Sequence, residues 1–366
     1  MLPCLTEWYG NASSKHFYGW QAEELVAQAR QQVAELVCAD PAELIFTSGA
    51  TESINLALKG LAATAPPEKR HIISVATEHK AVLEVLGRLE RSGFRITLLP
   101  VDEFGLIDLA NLEEALAEDT LLVSVMTANN EIGVLQPIEE IVRLCHERGV
   151  LFHTDAAQAI GKIPFDINHN EADLVSFSGH KMYGPKGIGA LIIRKRRPKI
   201  RLIPQMDGGG HERGLRSGTL NVPAIVGFGE ACRICREEMP EESARLKTLR
   251  DRLQDGLSQA IDNLKVNGHP ERRLPHSLNI SIPDVEGDAL ITGLSDLAIS
   301  SGAACVSSDP EPSHVLRAIG LSDPEIRSSL RMAVGRFTTA EEIDYAIGRV
   351  SETVGRLQSG QAVPAR

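Results

Sequence analysis

Lys181 lies in a sequence context that can make its amine a nucleophile. It ends the polar stretch Ser176–Lys181, just after a predicted buried strand at Leu174–Phe177. Hydroxyls, a histidine and glycines surround it, and a desolvated amine has a lowered pKa and can attack a carbonyl carbon. The alternative is a solvated lysine in a surface turn, where most lysines lie. This stretch alone leaves both interpretations open.

Polar clusters also follow other predicted strands. Parallel strands present their carboxyl ends at one edge of a sheet, and ligands bind there. Five such clusters in register therefore predict one site. The clusters are Thr47–Glu52 after Leu44–Phe46, Glu78-His79 after Ile72–Val75, Asn129–Glu131 after Leu121–Met126, Asp155–Gln158 after Val150–His153, and Ser178–Lys181 after Leu174–Phe177.

The elements that carry these clusters alternate between strands and amphipathic helices. This alternation predicts an α/β chain with a mostly parallel sheet covered on both faces. After about residue 220 the pattern changes to a long helical stretch, a strand at Ser277–Ile282 and a helix around Ala340–Leu357. We therefore predict a large domain at 1–240 and a smaller α+β domain at 241–366.

Composition limits the partners and the compartment. The net charge of −11 argues against nucleic acid as an obligate partner. No apolar run reaches the length of a membrane span, and Met1–Cys4 does not resemble a secretion signal. Six cysteines without framework spacing indicate free thiols in a reducing compartment. We expect a cytoplasmic protein without a membrane partner.

Two further features narrow the chemistry. Gly49–Thr51 opens a predicted helix, where backbone N–H groups and a hydroxyl suit a phosphate, although an ordinary helix cap is equally consistent. Asp155 ends a buried strand and needs a cation, either a protonated ring nitrogen or a nearby Arg or Lys. With Lys181, these features match pyridoxal 5′-phosphate, which requires a phosphate site, a partner for its ring nitrogen and an imine-forming amine.

Several motifs then identify a family. They are Thr47–Ser53, Asn129–Gly133, Asp155–Gln158, Ser178–Lys181, Gly208–Gly214 through Thr219, Ser300–Cys305, and Ser329–Arg331 through Phe337. In order and composition they resemble those of cysteine desulfurases, in the class V aminotransferase group of PLP enzymes, over nearly the whole chain. The resemblance implies the aspartate aminotransferase-like PLP-dependent transferase fold. It also implies release of L-alanine from L-cysteine.

The same resemblance assigns cofactor roles. Lys181 forms the imine and later moves the substrate α-proton, and Asp155 pairs with the pyridinium nitrogen. His79 stacks on the ring and shuttles a proton to or from sulfur. The remaining cofactor-binding residues are Gln158 at the phenolic oxygen, Ala50, Thr51, Ser178 and His180 at the phosphate, Asn130 beside the cofactor, and Thr219 reaching the phosphate from the neighbouring subunit of a homodimer.

Arg331 is assigned to the substrate by the same resemblance, with Asn130 assisting. A guanidinium fork fits a carboxylate in two-point contact, and this contact fixes the orientation of the Cα–H bond. The alternative is an arginine in a surface ion pair, which Arg336 could equally be.

Cys305 distinguishes a desulfurase from other PLP enzymes. It lies in Ser301–Pro312, which we expect to be a mobile loop that accepts sulfur as a persulfide. The sulfur then passes to an acceptor or scaffold protein for iron–sulfur cluster assembly or tRNA thiolation. No resident metal is expected, although Cys305 could ligate a transferred iron–sulfur cluster. We interpret the other cysteines as structural, except Cys4, which allows no interpretation.

Three alternatives stay open. Selenocysteine lyase and cystine C–S lyase reactions occur on the same fold. Family members also normally begin with a strand before the point that matches Met1. The third alternative is therefore an inactive truncated scaffold that only binds partners.

Overall fold

A computed structural model of the chain describes residues 1–301 and 312–361. The chain forms two compact units. The first comprises Met1–Leu99, Leu109–Ala128 and Gln136–Met239, and the second comprises Pro100–Asp108, Asn129–Leu135 and Pro240–Arg366. Two short segments that the sequence prediction placed in the large domain thus group with the second unit. The domain limits 1–240 and 241–366 remain a proposal.

The first unit is built from strand–helix repeats. Its helices are α1 (Pro3–Thr6), α2 (Phe17–Leu36), α3 (Ala50–Ala62), α4 (Lys80–Arg91), α5 (Leu109–Ala115), α6 (Ile138–Glu147), α7 (Ile167–Asn170) and the first part of α8 (Val222–Ala260). Its strands are β1 (Leu44–Thr47), β2 (His71–Val75), β3 (Arg95–Leu99), β4 (Thr120–Ser124), β5 (Leu151–Asp155), β6 (Leu174–Ser178) and β7 (Gly189–Ile193). Short 3-10 helices lie at Pro41–Glu43, Gly179–Met182 and Glu212–Gly214.

The seven strands form one sheet in the order β1-β7-β6-β5-β4-β2-β3. Neighbours from β6 to β3 are parallel, whereas β7 is antiparallel to both β6 and β1. Six strands therefore run in one direction, and their carboxyl ends lie at one edge of the sheet. This arrangement confirms the predicted mostly parallel sheet.

Apolar side chains explain why this sheet is covered on both faces. β1, β2 and β6 are buried along their whole lengths, which is typical of strands with helices on either side. Ile54 and Leu58 of α3 and Leu86 of α4 pack in one core with the strand residues Ile45 and Leu174. Among the described residues, no helix is long and apolar enough to cross a membrane.

The second unit is α+β. Its strands β8 (Lys265–Val266), β9 (Ser277–Ser281), β10 (Ser300–Ser301) and β11 (Ser329–Ala333) pair antiparallel in the order β10-β11-β9-β8. Its helices are the last part of α8, α9 (Gly287–Gly293), α10 (His314–Ala318), α11 (Asp323–Arg327) and α12 (Ala340–Gln358). Leu253 and Leu257 of α8 pack with Ile280, Leu330 and Val350 in its core.

Candidate active site

The ends of β1 and β6 come close together where α3 begins. Gly189 on β7 permits this approach, because a Cβ there would lie only 2.6 Å from the Cα of Gly49. A Cβ on Gly49 would in turn lie 3.6 Å from Oγ of Ser178. The first turn of α3 and the end of β6 are therefore side by side.

The turn before α3 is closed by its own side chains. Thr47 Oγ1 accepts a hydrogen bond from the Gly49 N–H at 3.3 Å and lies 2.8 Å from Ser53 Oγ. The Ser48 N–H donates to Glu52 Oε2 at 2.7 Å. N–H groups in the first turn of a helix have no partner within the helix, and with the helix dipole they attract anions. Ala50 and Thr51 lie in this turn.

Ser178 lies next to that turn, and His180 and Lys181 follow it in the chain. Ser178 is buried, and its Oγ is 2.8 Å from Nδ1 of the exposed His180. Desolvation lowers the pKa of His180, and the nearby cations Lys181 and Lys186 lower it further. A neutral imidazole and a hydroxyl beside a helix N-terminus are suited to a phosphate group.

Asp155 supplies a negative charge in a buried position. It is only 5% exposed at the end of β5, and its Oδ1 accepts a hydrogen bond from the Ala157 N–H at 2.9 Å. Burial raises the pKa of Asp155, while the Ala157 hydrogen bond and the positive charges of His79 and Lys181 oppose the rise. These three side chains are therefore electrostatic neighbours. A protonated ring nitrogen would supply the cation that stabilises the buried carboxylate.

The structure also places the other predicted residues of the first unit. His79 is exposed and caps α4, and its Nδ1 accepts a hydrogen bond from the Ala81 N–H at 3.1 Å. Gln158 is half-buried shortly after Asp155, and Thr219 is exposed. The donor set of this unit therefore fits pyridoxal 5′-phosphate: anion ligands beside α3, a buried carboxylate and an exposed lysine.

Arg331 and Asn130 come together in the second unit. Arg331 Nη1 is 3.4 Å from the Asn130 carbonyl oxygen, and Nη2 is 3.4 Å from Ser300 Oγ. Both contacts are long and neither partner is a carboxylate. The buried Oδ1 of Asn130 has no hydrogen-bond partner among the described residues. In contrast, Arg336 pairs with Glu242 at 2.6 Å. Arg336 is therefore in an ion pair, but a shielded one, with side-chain exposures of 17% and 8% for Arg336 and Glu242. The role of Arg331 stays a prediction.

Cys305 lies outside the described residues, but the chain on either side of it is described. Ser300 and Ser301 form β10 and pair with Arg331 and Leu330 of β11. On the other side, Ser313 caps α10 and donates from its Oγ to Glu131 Oε2 at 2.5 Å. Both flanks are therefore attached to the elements that carry Arg331 and Asn130.

Glu78 belongs to a cluster that the sequence placed at the predicted site, but its burial and its proximity to Asp155 were not predicted. Its side chain is fully buried, and Oε1 accepts a hydrogen bond from the Met126 N–H at 2.5 Å. Burial and the charge of Asp155 raise the pKa of Glu78 well above its usual range, against the effect of the Met126 hydrogen bond. Glu78 therefore favours its protonated form. The one indication of this in the sequence was the position of Glu78 between a buried strand and His79.

The described cysteines are free thiols. Cys145, Cys232 and Cys235 are buried as expected, and Cys4, for which the sequence allowed no interpretation, is buried too. The prediction for Cys38 was wrong, because this residue is exposed just after α2. Cys232 and Cys235 of α8 contact Met182, the neighbour of Lys181, at 3.6 and 3.9 Å. Within 1–301 and 312–361, no three His, Cys, Asp or Glu side chains form a group that could hold a metal ion.

Comparisons with known proteins show the family of the chain. The aminotransferase class V family profile matches residues 1–346. Cysteine desulfurase IscS of Pectobacterium carotovorum is 57% identical over 351 residues, which cover 96% of this chain and 86% of that protein. The IscS protein of Anaeromyxobacter sp. strain Fw109-5 is 54% identical, with 98% and 89% of the two chains covered.

Solved structures of similar proteins show the same fold. A NifS-like protein superposes with a TM-score of 0.91 at 39% identity, covering 97% of this chain and 94% of that one. A structure described as SspA in complex with cysteine gives a TM-score of 0.80 at 38% identity, covering 92% and 94%.

Proposed function

Because the chain belongs to the class V aminotransferase family and is a cysteine desulfurase of the NifS/IscS type, we propose that it removes sulfur from L-cysteine with pyridoxal 5′-phosphate held by Lys181. The observation that carries this proposal is the grouping of Lys181, Asp155 and Ser178 at one edge of the sheet. L-alanine is the second product, and Cys305 receives the sulfur.

The cofactor-binding residues act by position and charge. When bound, pyridoxal 5′-phosphate withdraws electrons from the substrate Cα through its protonated ring. Asp155 would keep the ring nitrogen protonated, and His79 would contact the ring. Gln158 and Asn130 would position the ring and its phenolic oxygen. The phosphate would be bound by Ala50 and Thr51 in the first turn of α3, by Ser178 and His180, and by Thr219 of a second subunit.

Lys181 then moves protons. The amine of Lys181, when free, would take the substrate α-proton and later return it. Arg331 binds the substrate carboxylate with Asn130, which fixes the Cα–H bond relative to the base. The long contacts of Arg331 within its own unit support this role, because they leave its fork uncommitted to any described carboxylate.

Cys305 completes the reaction. Its thiolate attacks the substrate sulfur, so that an S–S bond forms as the substrate C–S bond breaks. The electron pair of the broken bond stays with the substrate carbon, which takes up protons and leaves as L-alanine. The products are L-alanine and a Cys305 persulfide, with no external oxidant or reductant. An acceptor or scaffold protein would then take the terminal sulfur for iron–sulfur cluster assembly or tRNA thiolation.

The test of this function is direct. After incubation of the purified protein with L-cysteine, we expect equal amounts of L-alanine and of protein that has gained one sulfur atom at Cys305. Amino-acid analysis and mass spectrometry of the digested protein measure the two products.

The matched controls are two cysteine substitutions. Cys305→Ala should lose both products, whereas Cys38→Ala, which alters an exposed thiol elsewhere, should keep both. Undiminished L-alanine release by Cys305→Ala would contradict the persulfide route and favour a lyase. Absence of both products in the wild-type protein would favour an inactive scaffold.

A homodimer follows from the role of Thr219, and an apolar surface supports it. Tyr9, Phe17, Tyr18 and Trp20 are between 51% and 70% exposed, and the ring of Tyr18 contacts those of Tyr9 and Phe17. Clustered exposed aromatic side chains mark surfaces that another protein covers. We assign this N-terminal aromatic cluster to contact with a second copy of the chain.

Substitution in this cluster should weaken the dimer. We expect Trp20→Glu to raise the dimer dissociation constant at least about tenfold, because a buried charge replaces an aromatic contact. Analytical ultracentrifugation measures the change. Leu98→Glu is the control, since Leu98 is exposed on β3 at the opposite end of the sheet from β1. A monomeric wild-type protein, or an unchanged Trp20→Glu dimer, would refute this assignment.

The free thiols support a cytoplasmic location, because thiols persist in reducing compartments. We propose that the enzyme acts there on L-cysteine.

A further inference from the structure

The segment that carries Thr219 is fixed to the first unit at two points, each a pair of glutamate and arginine. At the first point, Glu212 is buried against the edge strand β1, where it accepts hydrogen bonds from the Phe46 N–H at 2.7 Å and from Arg30 Nη2 at 2.5 Å. At the second point, Arg216 Nε donates to Glu52 Oε1 at 2.9 Å.

The second pair, Glu52 and Arg216, directly involves the turn before α3 at Thr47–Thr51, which we call the phosphate turn. Glu52 uses one oxygen for Arg216 and the other for the Ser48 N–H at 2.7 Å, so one carboxylate closes the turn before α3 and also holds the distant segment. Both side chains are largely shielded, at 22% exposure for Arg216 and 17% for Glu52. Although burial raises the pKa of Glu52, hydrogen bonds from Ser48 and Arg216 outweigh it, and the net shift is downward.

Between and beyond these two points, the backbone conformation of the segment requires glycine at several positions. Gly210, Gly214 and Gly218 have positive φ values of 75°, 80° and 115°, which other residues rarely adopt. Such a backbone has little stiffness of its own. Arg216 lies three residues before the exposed Thr219 and, along the described chain, is the residue nearest to it that forms one of these ion pairs.

We propose that the Glu52–Arg216 ion pair is a positioning device that links the phosphate turn of one subunit to the segment that delivers Thr219 to the cofactor phosphate of the other. This inference rests on the proposed function, including its homodimer. Loss of the pair loosens the turn that binds the phosphate of the same subunit. It also loosens the segment that binds the phosphate of the partner.

The test compares two cofactors that differ only in the phosphate. Apoprotein carrying Glu52→Gln, Arg216→Gln or both is titrated with pyridoxal 5′-phosphate and, separately, with pyridoxal. Each single variant should bind pyridoxal 5′-phosphate about tenfold more weakly, as expected when one partner of a shielded charged hydrogen bond is removed. The double variant should be no weaker than the singles, because the two residues act as a unit. Binding of pyridoxal should not change.

The matched control is Arg233→Gln, which removes an exposed ion pair with Glu230 and Glu237 on α8 and should leave both titrations unchanged. Equal weakening toward both cofactors would mean that the pair only stabilises the fold, and would overturn the proposal. Additive losses in the double variant would also overturn it. A wild-type protein that binds neither cofactor would instead refute the proposed function.

A mixed dimer tests the link between subunits. One subunit carries Lys181→Ala, so only the other can hold the cofactor covalently. Placing Arg216→Gln on the Lys181→Ala subunit should still weaken binding at the intact site about threefold or more, a loss of at least about 0.65 kcal/mol. Affinity equal to that of the mixed dimer without Arg216→Gln would overturn the link between subunits.

Discussion

Lys181→Ala is expected to lower the rate of L-alanine formation by more than about 10³-fold, because the variant loses both the covalent attachment of the cofactor and the base for the α-proton. The visible absorbance of lysine-bound cofactor should disappear with it. A coupled assay for L-alanine and an absorption spectrum of the reconstituted protein measure the two losses.

The matched control for this prediction is Lys186→Ala. Lys186 is an exposed lysine of the same stretch, close enough to His180 to influence its pKa. This variant should keep the absorbance and most of the activity. If Lys181→Ala kept its absorbance and turned over L-cysteine, another amine would hold the cofactor, and the central assignment at the end of β6 would be wrong.

Asp155→Asn should separate activity from stability. We expect L-alanine formation to fall by about 10²–10³-fold, because the ring nitrogen loses the charge that keeps it protonated. The cofactor-free protein should nevertheless become more stable at neutral pH. Asparagine keeps an oxygen that can accept the Ala157 hydrogen bond, but it removes a carboxylate that is 5% exposed.

The sign of the stability change follows from proton linkage. Burial raises the pKa of Asp155 in the folded chain, so the folded state holds this proton more tightly than the unfolded state. The stability from this group is fully present below the unfolded pKa, and it is lost as the pH rises through the folded pKa. Asp155→Asn does not undergo this loss.

Urea unfolding of the two cofactor-free proteins measures the difference. The variant should exceed the wild type in unfolding free energy at pH 7, and this advantage should shrink toward acidic pH. A variant less stable than the wild type at pH 7 would mean that neighbouring cations already compensate the buried charge.

The sheet could be predicted from local pattern because its strands are short apolar runs followed by polar residues. Leu174–Phe177 is predicted and Leu174–Ser178 is observed, and the position of Asp155 at a strand end could also be predicted. The position of β7 within the sheet could not be predicted. It lies between β1 and β6 through backbone pairing, which leaves no periodic signal in its own residues.

The less predictable features all depend on contacts between distant parts of the chain. Glu52 and Arg216 are 164 positions apart, and each alone resembles an ordinary surface charge. Glu78 is a similar case. It follows β2, but its carboxyl group accepts a hydrogen bond from the Met126 N–H, just after β4. Asn130 follows a strand of the first unit, but its segment belongs to the second unit.

The pairing of β1 with β7 also bears on how the chain is made. Leu44 pairs with Ile192 and Thr47 with Gly189, so β1 has no strand neighbour in this sheet until translation has passed residue 193. Chains emerge from the ribosome N-terminus first, and long-range pairings form later than local ones. β1 precedes the other six strands of this sheet in the chain but is a late one to join them, and the turn at Thr47–Thr51 reaches its final position only then.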